Sequence, residues 1–262
     1  MSLSQIWSRA HGRYIRTVTD LFFKRPFKVI TTVPFISFTF DDFPRTALYA
    51  GGSILMKHGL RATYYASLGL MGKENATGEI FTRDDLKELF AQGHELGCHT
   101  FAHCHSWNTR PRAFEDSIKK NMLVLDELVP GAVFRSFSYP IIGPRPDSKR
   151  RASRYFRCCR GGGQTYNIGT IDLNFLKAYF LEKTHNNSRL VREIIDRNGQ
   201  DRGWLIFATH DISETHTKYG CNPSFFEDTV KYALASGATI LPVTEALDAI
   251  ALHSGIKANS KG

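Results

Sequence analysis

Short apolar runs alternate with longer amphipathic stretches along most of this chain, and that alternation narrows the fold more than any other feature. Phe35-Ile36-Ser37-Phe38-Thr39-Phe40 alternates and is rich in aromatic side chains, so it reads as a strand. Pro44 suits the first turn of a helix reaching about His58, and Ala62 to Ala66 is the next strand. Thr82 followed by Asp85 has the form of an N-cap with an acidic residue three later, opening a helix that Gly93 closes. A short strand leads into His99. Arg110 to Leu128 reads as a helix stopped by Pro130-Gly131, Val133 to Tyr139 as a strand, Arg145 to Arg154 as a short helix and Tyr155 to Cys159 as a strand. Residues 161–185 are ambiguous, with a short strand near Leu176 to Leu181. Helices follow at Ser188 to Arg197, Ser224 to Ala235 and Val243 to Ala251, with strands at Trp204 to Thr209 and Thr239-Ile240.

Strand followed by helix, repeated, calls for a parallel sheet with crossover helices. No linker and no internal repeat divides the pattern. The expected fold is α/β, a single barrel-like domain over residues 31–252, preceded by an amphipathic helix and lead-in at 1–30 and followed by a frayed tail at 253–262. In such folds the chemistry collects where strands end.

Asp41-Asp42, His99, His103, Tyr139-Pro140 and His210 all fall at or just after predicted strand ends. His99 and His103 are four apart; on a helix or tight helical loop that spacing stacks both imidazoles on one face, about 6 Å apart at Cβ. Asp42 with these histidines makes a two-nitrogen, one-carboxylate set suited to zinc or another divalent first-row metal, with positions left for water and substrate. Asp41 neighbours that ligand but points another way in a strand, which suits a general base on the water a metal activates. His210, from the opposite side, suits the general acid that protonates the leaving group.

The chain carries 34 Lys and Arg against 25 Asp and Glu, a net charge of +9 that favours anionic partners. The basic residues are scattered, with only Lys149-Arg150-Arg151 forming a tight run, so a generally basic surface is expected rather than a nucleic-acid site. The odd set Cys98, Cys104, Cys158, Cys159 and Cys221 shows no disulfide framework and no C-x-x-C pair, so reduced thiols are expected. No leader pattern or membrane-length apolar run is visible, and a cytoplasmic location is the expectation. Residues 3–23 carry apolar groups at intervals of three and four, with Arg9, Arg13 and Arg16 on the other face. Such a helix packs on its domain or lies on an acidic membrane.

Thr39-Phe40-Asp41-Asp42, His99-Thr100-Phe101-Ala102-His103 and the strand ending in His210-Asp211 together resemble the polysaccharide deacetylases with a NodB-like homology domain, carbohydrate esterase family 4. The resemblance spans about residues 35–250. It implies a distorted (β/α) barrel and metal-dependent removal of an N-acetyl or O-acetyl group from a sugar or oligosaccharide. By that resemblance Asp41 is the catalytic base and His210 the catalytic acid. Asp42, His99 and His103 hold the metal, usually zinc, with cobalt or nickel in some members.

Two departures stand out. The family's third motif places an arginine just before a proline-aromatic pair, to hold the base aspartate. Here the segment is Arg135-Ser136-Phe137-Ser138-Tyr139-Pro140-Ile141. Tyr139-Pro140-Ile141 aligns with the motif's turn, so Tyr139 and Ile141 are the expected substrate contacts, a backbone amide there serving the oxyanion. The partner of Asp41 is left between Arg135 and Arg160. The fourth motif is not recognisable, Asp172 being a weak substitute, and Ala208 stands where the fifth has leucine. The expected substrate is an acetylated carbohydrate, phosphate- or lipid-linked in view of the charge. A metal-dependent amidase acting on an imide or formamide, and a decayed carbohydrate-binding homologue, are the competing functions.

Overall fold

The computed structural model describes residues 14–15, 17–141 and 143–254. The chain opens with α1, helical at residues 14, 15 and 17–21. It continues through β1 (Pro26–Val29), β2 (Phe35–Phe40), a π-helical turn (Ala47–Gly52) running into α2 (Ser53–Met56), and β3 (Thr63–Ala66). A small hairpin, β4 (Glu74–Asn75) and β5 (Gly78–Glu79), precedes α3 (Arg83–Ala91), β6 (Glu95–Cys98), α4 (Pro111–Leu128), β7 (Ser136–Ser138), α5 (Pro146–Ala152) and β8 (Cys158–Arg160). The last part holds β9 (Gly169–Asp172), β10 (Tyr179–Phe180), α6 (Ser188–Asp201), β11 (Trp204–Thr209), α7 (Pro223–Ala235), β12 (Thr239–Ile240) and α8 (Val243–His253).

The principal sheet runs β10-β11-β2-β3-β6-β7-β8, every pair parallel. The edge of β2 is shared, β12 pairing with Phe35 and Ile36 while β3 pairs with Thr39 and Phe40. The sheet bends round until its ends meet through one stretch of chain. Leu176 bridges to Arg160 of β8, and four residues later Phe180 pairs with Ala208 of β11. The expected α/β barrel is therefore present, and the ambiguous segment 161–185 supplies its closure.

Alternation sorts the side chains. Ile36, Phe38, Phe40, Leu205 and Phe207 face outward beneath the helices in the larger core. Phe35, Trp204, Ile206, Ala208, Cys158 and Leu176 face the barrel axis, where Val243, Leu247 and Ile250 of α8 plug the far end. Residues 37 and 39 share the inward parity of Phe35, and Trp204 Nε1 donates to Ser37 Oγ across the interior. Asp41 continues this inward-facing series.

One local sequence expectation holds and two are adjusted. The capping box of α3 forms as expected, Thr82 and Asp85 each accepting from the other's backbone amide. The strand expected at Tyr155 to Cys159 is instead Cys158–Arg160, because Tyr155 still belongs to the turn that ends α5. That shift brings Arg160 into the sheet. His99 and His103 lie on a loop, not a helix, with left-handed backbone at Thr100 (φ 61°) and His103 (φ 50°). The lead-in pairs as well: β1 runs antiparallel to β9. Of the helix expected at 3–23, residues 3–13 and 16 lie outside the described residues, as do 255–262 of the tail.

Closure depends on Gly161, whose amide donates to the Leu176 carbonyl (2.9 Å) and whose missing Cβ leaves room for the Phe175 ring. Gly161→Ala drives a methyl into that ring and lowers stability by about 1–3 kcal/mol. Urea denaturation measures this, and an unchanged midpoint would show the closure to be loose.

Candidate active site

Parallel strands deliver their C-terminal residues to one end of the barrel, and five of the residues singled out in the sequence meet there. Asp42 Oδ1 lies 3.2 Å from His103 Nε2 and 3.6 Å from His99 Nε2. The three ligand atoms fall within 4.8 Å of one another. Left-handed backbone at Asp42 (φ 61°) and Phe43 (φ 54°), together with the values at Thr100 and His103, aims these groups at each other. Non-glycine residues hold this conformation only where the surroundings enforce it. Thr100 Oγ1 accepts from the Cys104 amide (2.8 Å) and the Phe101 amide donates to Ser117 Oγ (3.0 Å), which pins the histidine loop.

Hydrogen bonds fix which atoms are offered. His99 Nδ1 donates to the Ser138 carbonyl (2.8 Å), so its Nε2 presents a lone pair. Burial holds the His99 imidazole neutral, pulling its pKa down to about 4. Asp42 Oδ2 accepts from Thr77 Oγ1 (3.3 Å) and Asn75 Nδ2 (3.4 Å), while buried Asp42 Oδ1 has no hydrogen-bond partner among the described residues. An orphaned carboxylate oxygen facing two imidazole nitrogens, that of His99 fixed as an acceptor, is poorly compensated. A divalent cation satisfies it, so the donor set fits a metal.

Asp41 is kept apart from that cluster. Its carboxylate receives Nη2 of Arg160, which reaches across the barrel from β8. The same nitrogen donates to Ser138 Oγ (2.6 Å), 3.2 Å from Asp41 Oδ1. The guanidinium lies between the Tyr65 and Phe180 rings, 5.1 and 5.6 Å from their centroids. Burial alone would raise the Asp41 pKa, but the charge of Arg160, aided by His99 and His210, outweighs it and brings it down to about 2. Arg135 is exposed before β7 and takes no part.

His210 follows β11, its Nδ1 donating to the Tyr219 carbonyl (3.1 Å), which leaves Nε2 for proton exchange. Asp211 ties the loop carrying Tyr219, accepting from the Thr217 amide and hydroxyl at 2.7 Å each. Glu182 lies within electrostatic reach of both His210 and Asp41. Burial pushes its carboxyl up to about 7, and its Oε2 has no partner among the described residues. Sequence reading missed Glu182, which follows a two-residue strand that carries no periodic signal.

Tyr139 and Ile141 are placed differently from each other. Strand parity turns Tyr139 outward with Phe137 into the core, and its hydroxyl donates to the Asn174 carbonyl (3.2 Å). The expectation of a Tyr139 substrate contact is corrected on that ground. Its amide is also engaged, by the Arg160 carbonyl (2.9 Å). Ile141 is 64% exposed with φ 72°, and Pro140 has no amide, so Ile141 supplies the backbone donor of this turn. Asp172 lies on β9, bound to Lys149 Nζ (2.5 Å) and the Arg25 amide (2.9 Å), away from the mouth. All five cysteines are free, and burial pushes the Cys98 thiol up to about 12, out of thiolate range.

The family model for polysaccharide deacetylase matches residues 28–155, which hold Asp41, Asp42, His99 and His103. Over that stretch, just under half of its length, the chain matches the polysaccharide deacetylase family. Its fold is shared with a family 4 acetyl xylan esterase from Clostridium thermocellum, solved with a cobalt ion (17% identity, 85% of this chain and 92% of that one, TM-score 0.58). It is shared too with a chitin deacetylase from Colletotrichum lindemuthianum (16%, 82% and 88%, 0.57). A third such structure is a carbohydrate esterase family 4 pseudoenzyme from Bacillus anthracis (14%, 84% and 67%, 0.58). Identities this low establish the fold alone. No curated protein matched by sequence.

Two outcomes follow from the charges. Arg160→Met strands a buried carboxylate and costs about 3–5 kcal/mol, much of it recovered when Asp41→Asn is added, as a urea double-mutant cycle will show; strict additivity would contradict the pairing. For Glu182 the folded pKa stands above the ordinary value. Below about pH 4.5 both states carry the proton; as pH rises to about 7 only the unfolded chain loses it, and stability falls by up to about 3 kcal/mol. Glu182→Gln removes this fall, so its urea midpoint gains on the parent between about pH 5 and pH 8. Parallel midpoints would contradict the shift.

Proposed function

We propose that this protein is a metal-dependent deacetylase of an N-acetylated sugar or oligosaccharide, with Asp42, His99 and His103 holding a divalent ion, zinc by donor chemistry. The observation that carries this reading is the separation of neighbouring carboxylates. Asp42 faces the His99 Nε2 lone pair and the His103 ring with an orphaned oxygen, while Asp41 is held off by Arg160 and Ser138. One carboxylate is built to bind and the other to stay free.

A metal bound there lowers the pKa of water and polarises the acyl carbonyl. The chain's residues do the rest. Asp41, ionised under Arg160, accepts the proton as water adds to the acyl carbon. The Ile141 amide donates to the oxyanion that forms. The C–N bond then breaks, and His210 Nε2 gives its proton to the departing amine while Nδ1 stays on the Tyr219 carbonyl. The products are acetate and a free amino sugar.

The pseudoenzyme neighbour keeps a second reading, binding without turnover, in view. The test is acetate release from N-acetylglucosamine oligomers by metal-stripped protein, with and without added zinc or cobalt. The proposal expects metal-dependent release, reduced by Asp41→Asn about 10²–10⁴-fold. Metal bound stoichiometrically with no release would favour the second reading or another acyl group. No metal binding would remove the basis of the proposal.

A further inference from the structure

At the end of the lead-in the surface carries an apolar corner that the proposed chemistry does not use. At the end of α1, Leu21, Phe22 and Phe23 are 62%, 50% and 40% exposed. Three consecutive large apolar side chains in water form a patch rather than scattered exposure. The backbone enforces the display. Phe23 holds φ 49°, a conformation bulky residues avoid, and its carbonyl is clamped by Asn174 Nδ2 (2.8 Å).

The surroundings of this corner are cationic. Lys24 and Lys28 are exposed, and the exposed Arg150 lays its guanidinium over the Phe23 ring, 5.4 Å from the centroid. Asp20, the acidic residue of α1, is neutralised by Lys177 (2.7 Å). On α5, Lys149 is buried on Asp172 and Arg151 is paired with Glu115, so Arg150 is the cation of that helix turned to this corner.

The corner is fastened to the rim. Thr19 Oγ1 donates to the Pro144 carbonyl (2.8 Å), and buried Lys149 donates to the Thr19 carbonyl (2.7 Å). The Tyr14 ring meets the edge of Trp107, centroids 6.1 Å apart, and Trp107 Nε1 donates to the Gly143 carbonyl (2.8 Å). Those partners belong to the loops after β6 and β7, the first carrying His103 and the second the exposed Ile141. No helix among the described residues is long and apolar enough to cross a membrane.

We propose that the Leu21-Phe22-Phe23 corner, with Lys24, Lys28 and Arg150 around it, docks this protein on an anionic lipid surface. Protruding apolar side chains enter the interface while the cations meet the headgroups. The charge decides against a second copy as occupant, since two chains of +9 would bring like charges together. A surface-held enzyme of this kind takes substrates presented by a membrane.

The experiment is co-sedimentation of the full chain with phosphatidylcholine vesicles, with and without phosphatidylglycerol. The proposal expects binding to the anionic vesicles at least about tenfold tighter than to the neutral ones and weakened by salt. Phe22→Ser with Phe23→Ser, and separately Lys24→Glu with Arg150→Glu, each lose about tenfold or more. Circular dichroism melting checks that these variants fold. Phe22→Trp keeps the test open if the serine variant does not, its emission shifting to the blue and being quenched by brominated lipid. No binding to anionic vesicles overturns the proposal. So does binding that neither pair of substitutions changes, since that is adsorption by net charge alone. A dimer in light scattering that Phe22→Ser with Phe23→Ser dissolves, without vesicle binding, assigns the corner to self-association. Lipid binding is read without turnover, so its failure and that of the deacetylase reading are separate results.

Discussion

Two opposite charges buried just below the mouth of the barrel govern the rest of the site. Arg160 and Asp41 come from strands on different sides of the sheet and meet with almost no access to water. Taking each out of water costs several kcal/mol, and the pair is tolerated because the guanidinium is also hydrogen-bonded and stacked between rings. The arrangement therefore contributes position rather than stability. It keeps Asp41 ionised, fixes it against Ser138, and stops it from joining its neighbour on a cation. Asp42 is left to face His99 and His103.

The same economy shows in the residues around it. Ser138 serves two groups, its hydroxyl standing between Arg160 and Asp41 and its carbonyl orienting His99. A serine there leaves the space that the long side chain of Arg160 occupies. The resemblance to the polysaccharide deacetylases places an arginine just before the proline turn, and this chain reaches the aspartate from the adjacent strand instead. Glu182 stands on the other side of the mouth, a buried carboxylate near His210. Its raised pKa reports its burial.

Much of this was legible from pattern. The apolar signal of β2 and β11 is strong because both strands are buried throughout, and the cap at Thr82 is a local motif that needs no tertiary help. The family resemblance rested on short motifs at strand ends, and those motifs do converge. What could not be read was set by long-range packing. Arg160 enters the sheet only because the preceding turn runs on to Tyr155, and nothing local distinguishes it from Arg135. Tyr139 looked available beside the proline, but parity with Phe137 turns it into the core. The closing segment 173–180 has two short pairings whose partners lie on opposite edges of the sheet, so its own sequence shows no strand period. The left-handed loop of His99 and His103 imitates helical spacing without being a helix.

The account turns on unequal roles for Asp41 and Asp42, and a crystal of the zinc- or cobalt-loaded protein tests it most directly through anomalous difference density. The predicted result is one peak bonded to Asp42 Oδ1, His99 Nε2 and His103 Nε2 at about 2.0–2.2 Å, with Arg160 still on Asp41. A peak held by Asp41, or none among these three residues, would contradict it.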